Sequence, residues 1–254
     1  MLGAVNDERP TLYVLPGSHP CAAVEEAMRR KGIAFRRVDL LPLFHMVVGA
    51  IRYGGVTVPG MRLGNRRVVG SREIMRVLDE IEPDPPLLPE PGSADYARVL
   101  EAERWGDVML QDVPRRVLDA AFLRRPDAID SFAQEGHLPL PASVLRPSYT
   151  LVAKAMAMRN HANDANVRAD LAALPAQLDR IDAMIAEGLI GGAQPNAADL
   201  QIGSSIRLLM SVADVRPLIE GRPCARLADY FPPQTSGIPA HTLPPEWIPA
   251  PAAA

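Results

Sequence analysis

At 254 residues the chain is long enough for one large domain or two modest ones. Aromatic residues are scarce at 5%, so Ala, Leu, Val, Ile and Met must supply the core, a palette that favours helices over a β-sandwich. A formal net charge of -3 gives no basic footprint for nucleic acid, and two cysteines, Cys21 and Cys224, cannot build a disulfide framework. No run approaches 18 uninterrupted apolar residues and the first twenty lack the apolar core of a secretory leader, so a cytoplasmic protein with no membrane partner is expected.

Residues 11–15 form a short β-prone run stopped by Pro16-Gly17. From Pro20 to Lys31 the pattern turns helical, with Val24, Ala27 and Met28 on one face and Gly32 as the stop. Residues 34–40 read as a second strand and 42–51 as a short helix. Val58–Leu63 and Arg66–Val69 flank Gly64-Asn65, a turn pair that predicts a hairpin. Ser71 caps a helix to about Ile81, with Ile74, Val77, Leu78 and Ile81 as its buried stripe. The order is βαβαββα. Residues 82–93 then hold five prolines and stay extended, marking the domain boundary.

Beyond it, helices are predicted over 94–125, 142–160, 166–187 and 197–211, with shorter ones near 214–220 and 222–230. The expected units are 1–82, α/β; 83–93, a Pro-rich linker; 94–230, all-helical; and 231–254, an irregular Pro-rich tail running over the surface. In the segment 196–202, Asn196 is the expected helix cap, with Asp199 reaching back to its backbone N–H, a structural rather than chemical role.

Three segments carry candidate chemistry. In Leu15-Pro16-Gly17-Ser18-His19-Pro20-Cys21, Ser18 stands just before a helix whose free amides and dipole favour negative charge. A thiol held there ionises more easily, and the Ser18 hydroxyl can donate to the thiolate; the other reading makes Ser18 only the helix cap. His19 is expected to face solvent. Cys21 reads as a buried small hydrophobe or, alternatively, as the reactive thiol itself. A Cys-X-X-Cys dithiol is excluded because position 18 is serine. The second segment is Val56-Thr57-Val58-Pro59, where a cis peptide would offer the Val58 backbone to a ligand. The third is Gly70-Ser71-Arg72, where helix amides and the Ser71 hydroxyl would receive a carboxylate; a plain helix cap is the alternative. The five histidines are scattered, no metal site is expected, and no Gly-rich phosphate loop is present.

Together these segments resemble the thioredoxin-like domain of cytosolic glutathione S-transferases. The stretch 12–21 is especially similar to serine-type members of delta-like classes, with Tyr-Leu-Pro-Gly-Ser-X-Pro-Cys at this turn. The resemblance implies glutathione as co-substrate, with Ser18 steadying its thiolate. It implies that the Val58 backbone, before a cis Pro59, pairs with the cysteinyl part, and that Ser71, with Arg72 nearby, holds the γ-glutamyl carboxylate. It also implies a homodimer. The chain departs from the family pattern at Val56, often His, and at Gly70, often acidic. Arg52 is the candidate replacement for the glycyl-carboxylate contact.

The same resemblance puts a hydrophobic electrophile between the first domain and the first long helix of the second. Met109, Gln111, Val113 and Arg116 are the candidate lining residues, with Phe122 further along and Arg104 and Trp105 close in sequence. The Pro-rich tail, Trp247 included, is a candidate lid. The expected chemistry is attack of the glutathione thiolate on an electrophilic carbon. A non-catalytic or repurposed ligand-binding protein of the same fold is the competing reading.

Overall fold

The structure is a computed structural model that describes residues 9–250; the expectation about the first residues lies partly outside it. Four short strands, β1 (Thr11–Val14), β2 (Arg36–Asp39), β3 (Gly60–Leu63) and β4 (Arg66–Val69), form one sheet in the order β2-β1-β3-β4. β1 runs parallel to β2 and antiparallel to β3, which pairs antiparallel with β4. Strand alternation sorts the core: Leu12 and Val14 face α1 (His19–Arg30) and α3 (Ser71–Ile81), whereas Tyr13 and Leu15 join Leu40 and Tyr53 beside α2 (Phe44–Arg52). This is a thioredoxin-like arrangement. Val24, Ala27 and Met28 are buried as the pattern predicts; Ile81 is not, because it ends α3 beyond the sheet edge and stays partly exposed.

The helical region comprises α4 (Ala94–Trp105), α5 (Asp112–Arg124), α6 (Ile129–Gln134), α7 (Ala142–Leu145), α8 (Tyr149–Arg159), α9 (Asp164–Ala186) and α10 (Ala197–Met210). Two helices predicted as continuous are broken. A π-helical turn, Gly106–Leu110, separates α4 from α5, and Pro114, which lacks an N–H and crowds the carbonyl four residues back, accounts for the break. Pro147 lies in a 3₁₀ turn, Arg146–Ser148, that separates α7 from α8. The α10 start follows its sequence: Asn196 accepts from the Ala198 and Asp199 N–H groups, and Asp199 accepts from Asn196 N–H at 2.9 Å.

The tail differs from expectation. It is irregular apart from a parallel bridge of Ile238 to Val212 and a 3₁₀ turn, Pro245–Trp247, yet Ile238, Leu243 and Trp247 are buried in the helical core. Trp247 is therefore a core residue rather than a lid, flanked by the guanidiniums of Arg124 and Arg168.

The sheet and the helices share one interface. Ala197, Leu200 and Phe231 enter the core beneath α1 and α3. Glu103 of α4 is 0% exposed and is held by two nitrogens of Arg76 and, at 3.4 Å, by Nε of Arg72. At the other end of α1, the fully buried Lys31 ammonium meets Asp79 at 2.7 Å and donates to the carbonyls of Glu82 and Pro85. Asp79 in turn accepts from the Leu87 and Leu88 N–H groups, and Leu87 accepts from Ala197. One lysine thus ties α1, α3 and the proline-rich segment together. Lys31→Ala is expected to lower unfolding free energy by about 3 kcal/mol in urea denaturation, because it leaves the Asp79 carboxylate and two carbonyls without their shared cation.

Candidate active site

β1 ends and α1 begins within four residues, and Gly17 makes the turn possible. Its φ is +76°, and a Cβ there would lie 2.8 Å from the Phe132 ring of α6. Ser18 follows as the N-terminal flanking residue of α1, in extended conformation and half-buried, but its hydroxyl makes no capping hydrogen bond. Pro20 has no N–H to offer, and the His19 and Cys21 N–H groups lie in the first turn without intrahelical partners. The hydroxyl is therefore not spent on capping, and it lies beside the positive end of a twelve-residue helix.

Its neighbours are both buried. Burial pushes the Cys21 thiol up to about 12, against partial opposition from the Ser18 hydroxyl and the Leu15 backbone. This counts against the reading that moved the thiol chemistry to Cys21. His19 does not face solvent: it is buried, its Nε2 has no partner among the described residues, and burial, aided by Arg115, holds its imidazole well below the ordinary value. The predicted orientation fails because the face of α1 that carries His19 is covered by the second domain.

Val58 approaches the turn from a loop pinned at its start. Tyr53, buried against Tyr13, donates its hydroxyl to the Thr57 carbonyl at 2.9 Å. The Val58–Pro59 peptide is cis, and the Val58 backbone has no hydrogen-bond partner among the described residues.

Ser18 and Val58 line one wall of a cavity of about 370 Å³ between the two structural layers. The opposite wall is α5, α6 and α8, with Leu118, Phe122, Phe132 and Val152 among the apolar contributors. Charged and imidazole groups on its wall are Arg115 and Asp119 from α5, His19 of α1, His45 of α2 and Arg159 of α8, with Asn160 just beyond. Burial and then Arg159 lower the His45 imidazole to about 4. A second, polar cavity of about 250 Å³ lies on the other side of the same turn and also reaches Ser18. Of its charged lining, Arg37 meets Glu25 at 3.0 Å and is also held by Asp39, outside the lining, at 2.8 Å.

Residues 12–86 match the family model for the glutathione S-transferase N-terminal domain. Among solved structures, a glutathione S-transferase from Rhodospirillum rubrum F11 is similar at a TM-score of 0.58 and 19% identity, over 92% of this chain and 97% of that one. Glutathione transferase F7 from Populus trichocarpa gives 0.55 at 15% identity over 87% and 91%, and a glutathione S-transferase from Sinorhizobium meliloti 1021 gives 0.53 at 17% over 92% and 98%. The chain has the glutathione S-transferase fold. Comparison with curated protein sequences gave no match.

Within this glutathione S-transferase fold, several expected site residues are engaged elsewhere. Ser71 is buried, and its hydroxyl donates to Gln201 Oε1 of α10 at 2.9 Å, so it is not free to receive a carboxylate. Arg72 turns to Glu103. The first-turn backbone amides of α3 remain without a side-chain cap, behind Gly70 at φ +92°. Arg52 is exposed at the end of α2 and lines neither cavity.

The expected electrophile-facing residues of the second domain are also corrected. Met109 is 58% exposed on the π-helical turn, Gln111 is spent on Asp107 and Arg115, and Arg116 faces α9, where Asp170 grips it at 2.6 and 2.8 Å. None of the three, nor Val113, lines the cavity; Phe122 does. The extra residue of the π turn shifts the helical register, and the face that meets the first domain is Arg115, Leu118, Asp119 and Phe122. That set follows the i, i+3, i+4, i+7 spacing and is legible in the sequence once the helix is started at Asp112. The α8 contribution carried no comparable signal. Gly17→Ala is expected to lower stability by about 1–2 kcal/mol, from its left-handed conformation, and to push Phe132 into the cavity; thermal melting and a crystal structure check both.

Proposed function

We propose that this protein is a serine-type glutathione transferase that activates the glutathione thiol for attack on a small hydrophobic electrophile. The observation that carries the reading is the Ser18 hydroxyl, uncommitted as a cap and set at the α1 N-terminus on the wall of a largely apolar cavity. Glutathione lies across the first domain, with its sulfur beside Ser18. The helix end and the hydroxyl both favour the thiolate over the thiol, and the hydroxyl supplies a charge-assisted hydrogen bond.

The unpaired Val58 backbone receives the cysteinyl amide and carbonyl as a short strand-like pair. The γ-glutamyl carboxylate meets the α3 backbone amides rather than the Ser71 hydroxyl. Arg52, free of ion-pair partners among the described residues, is the cation left for the glycyl carboxylate. The electrophile occupies the apolar cavity. Holding carbon and sulfur together there converts a bimolecular encounter into a local one. Carbon–sulfur bond formation then expels the leaving group or shifts a π bond. Ser18 acts as a hydrogen-bond donor throughout and forms no covalent bond; the buried, neutral His19 is not paired with it as a base. By the same reading the protein is a cytoplasmic homodimer.

The test is retention on immobilised glutathione, followed by turnover of 1-chloro-2,4-dinitrobenzene. Ser18→Ala should lower kcat/KM by about 10- to 100-fold, the value of one hydrogen bond to a charged group, while Cys21→Ser retains most activity. Loss of turnover in the cysteine variant alone would move the chemistry to Cys21. Neither retention nor turnover would leave a ligand-binding protein with this fold.

A further inference from the structure

Helix α5 brings a carboxyl group into the wall of the apolar cavity. Asp119 is 4% exposed, and it is the only carboxylate among the described residues that line this space. Asn160, just past the end of α8, donates its amide N–H to Oδ2 at 2.7 Å. Oδ1 has no hydrogen-bond partner among the described residues. Arg115 lies one turn earlier on the same helix but is committed to Asp112 at 2.9 Å and to Gln111 at 2.5 Å. Burial outweighs both Asn160 and the more distant Arg115 and raises the carboxyl to about 6, so it is largely ionised at neutral pH.

A wholly apolar ligand filling this cavity would strip the last access of water from Oδ1 and leave a charged acceptor unmatched. A ligand carrying a hydroxyl or amide N–H would match it. Two cationic groups share the lining, Arg115 and Arg159, and two histidines, His19 and His45, are kept neutral by burial. The arginines disfavour a cationic head and leave an uncharged donor as the fitting group.

We propose that Asp119 is a specificity-determining residue that selects electrophiles with a neutral hydrogen-bond donor, a hydroxyl or an amide N–H, on an otherwise apolar body. That the selected ligand is an electrophile rests on the transferase reading above; that the cavity prefers a donor does not. Asn160 is the positioning residue, holding one carboxylate oxygen so that the other remains for the ligand.

The experiment uses ligands that cannot react. Binding of 2-naphthalenemethanol, 2-(methoxymethyl)naphthalene and 2-ethylnaphthalene is measured by their fluorescence, without thiol, on the full chain. The alcohol should bind about tenfold or more tightly than either the ether or the hydrocarbon, the size of one hydrogen bond to a buried charge. In Asp119→Leu the three affinities should converge, and in Asp119→Asn the preference should shrink. Equal affinities in the wild type, or a preference that survives in a folded Asp119→Leu variant, would overturn the proposal. Should the Leu variant not fold, the alcohol-to-ether ratio in the wild type decides alone. Failure of glutathione turnover would leave these affinities standing, so the two readings fail separately.

Discussion

The positive end of α1 is held in place by burial along both flanks of the helix. Leu12 and Val14 of the central strand support one side, and α10 covers another through Ala197 and Leu200. At the far end, the Lys31 ammonium holds the helix against both α3 and the proline-rich segment, where its partners lie. A helix dipole acts only over its last turn, so a ligand site at such an end demands this kind of fixity. The Ser18 N–H closes the turn onto the Leu15 carbonyl, and the Ser18 hydroxyl is left out of capping, since packing secures the helix start. Gly17 permits the close passage of Phe132 and thereby brings the second domain to within reach of the same hydroxyl.

Joining the layers this way also produces the cavity. The first domain supplies the polar end of the proposed reaction, a hydroxyl and an unpaired strip of backbone, and the second supplies the apolar volume. The same packing consumes groups that a sequence reading reserves for ligands. Gln201 enters the interface and takes the Ser71 hydroxyl, and the fully buried Glu103 draws in Arg76 and Arg72. Arg76 neutralises this carboxylate, and Arg72 leans on it through Nε alone, at 3.4 Å, which draws its guanidinium toward α4.

Local signals were therefore the legible ones. Strand alternation in 11–15, the Pro-Gly stop, the Pro at the start of α1 and the Asn196–Asp199 cap each depend on neighbours within a few residues, and each folds as its chemistry dictates. Residues whose role depends on a distant partner were not legible: His19 under the second domain, Ser71 beneath Gln201, Arg116 drawn to Asp170. The tail illustrates the same limit, since its prolines forbid regular structure but do not forbid burial of Ile238, Leu243 and Trp247. On α5 a single inserted residue in the π turn displaced the assignments at Gln111, Val113 and Arg116, though not Phe122, and hid Asp119.

The central claim is that the α1 N-terminus and the Ser18 hydroxyl stabilise a sulfur anion. Titrating the ultraviolet thiolate absorbance of protein-bound glutathione against pH reads this without any electrophile. The account predicts a bound thiol pKa below that of free glutathione, rising by about one unit or more when Ser18 is replaced by alanine, since each unit corresponds to about 1.4 kcal/mol. A bound thiol that titrates like the free one, or a depression that persists in the alanine variant, would contradict it.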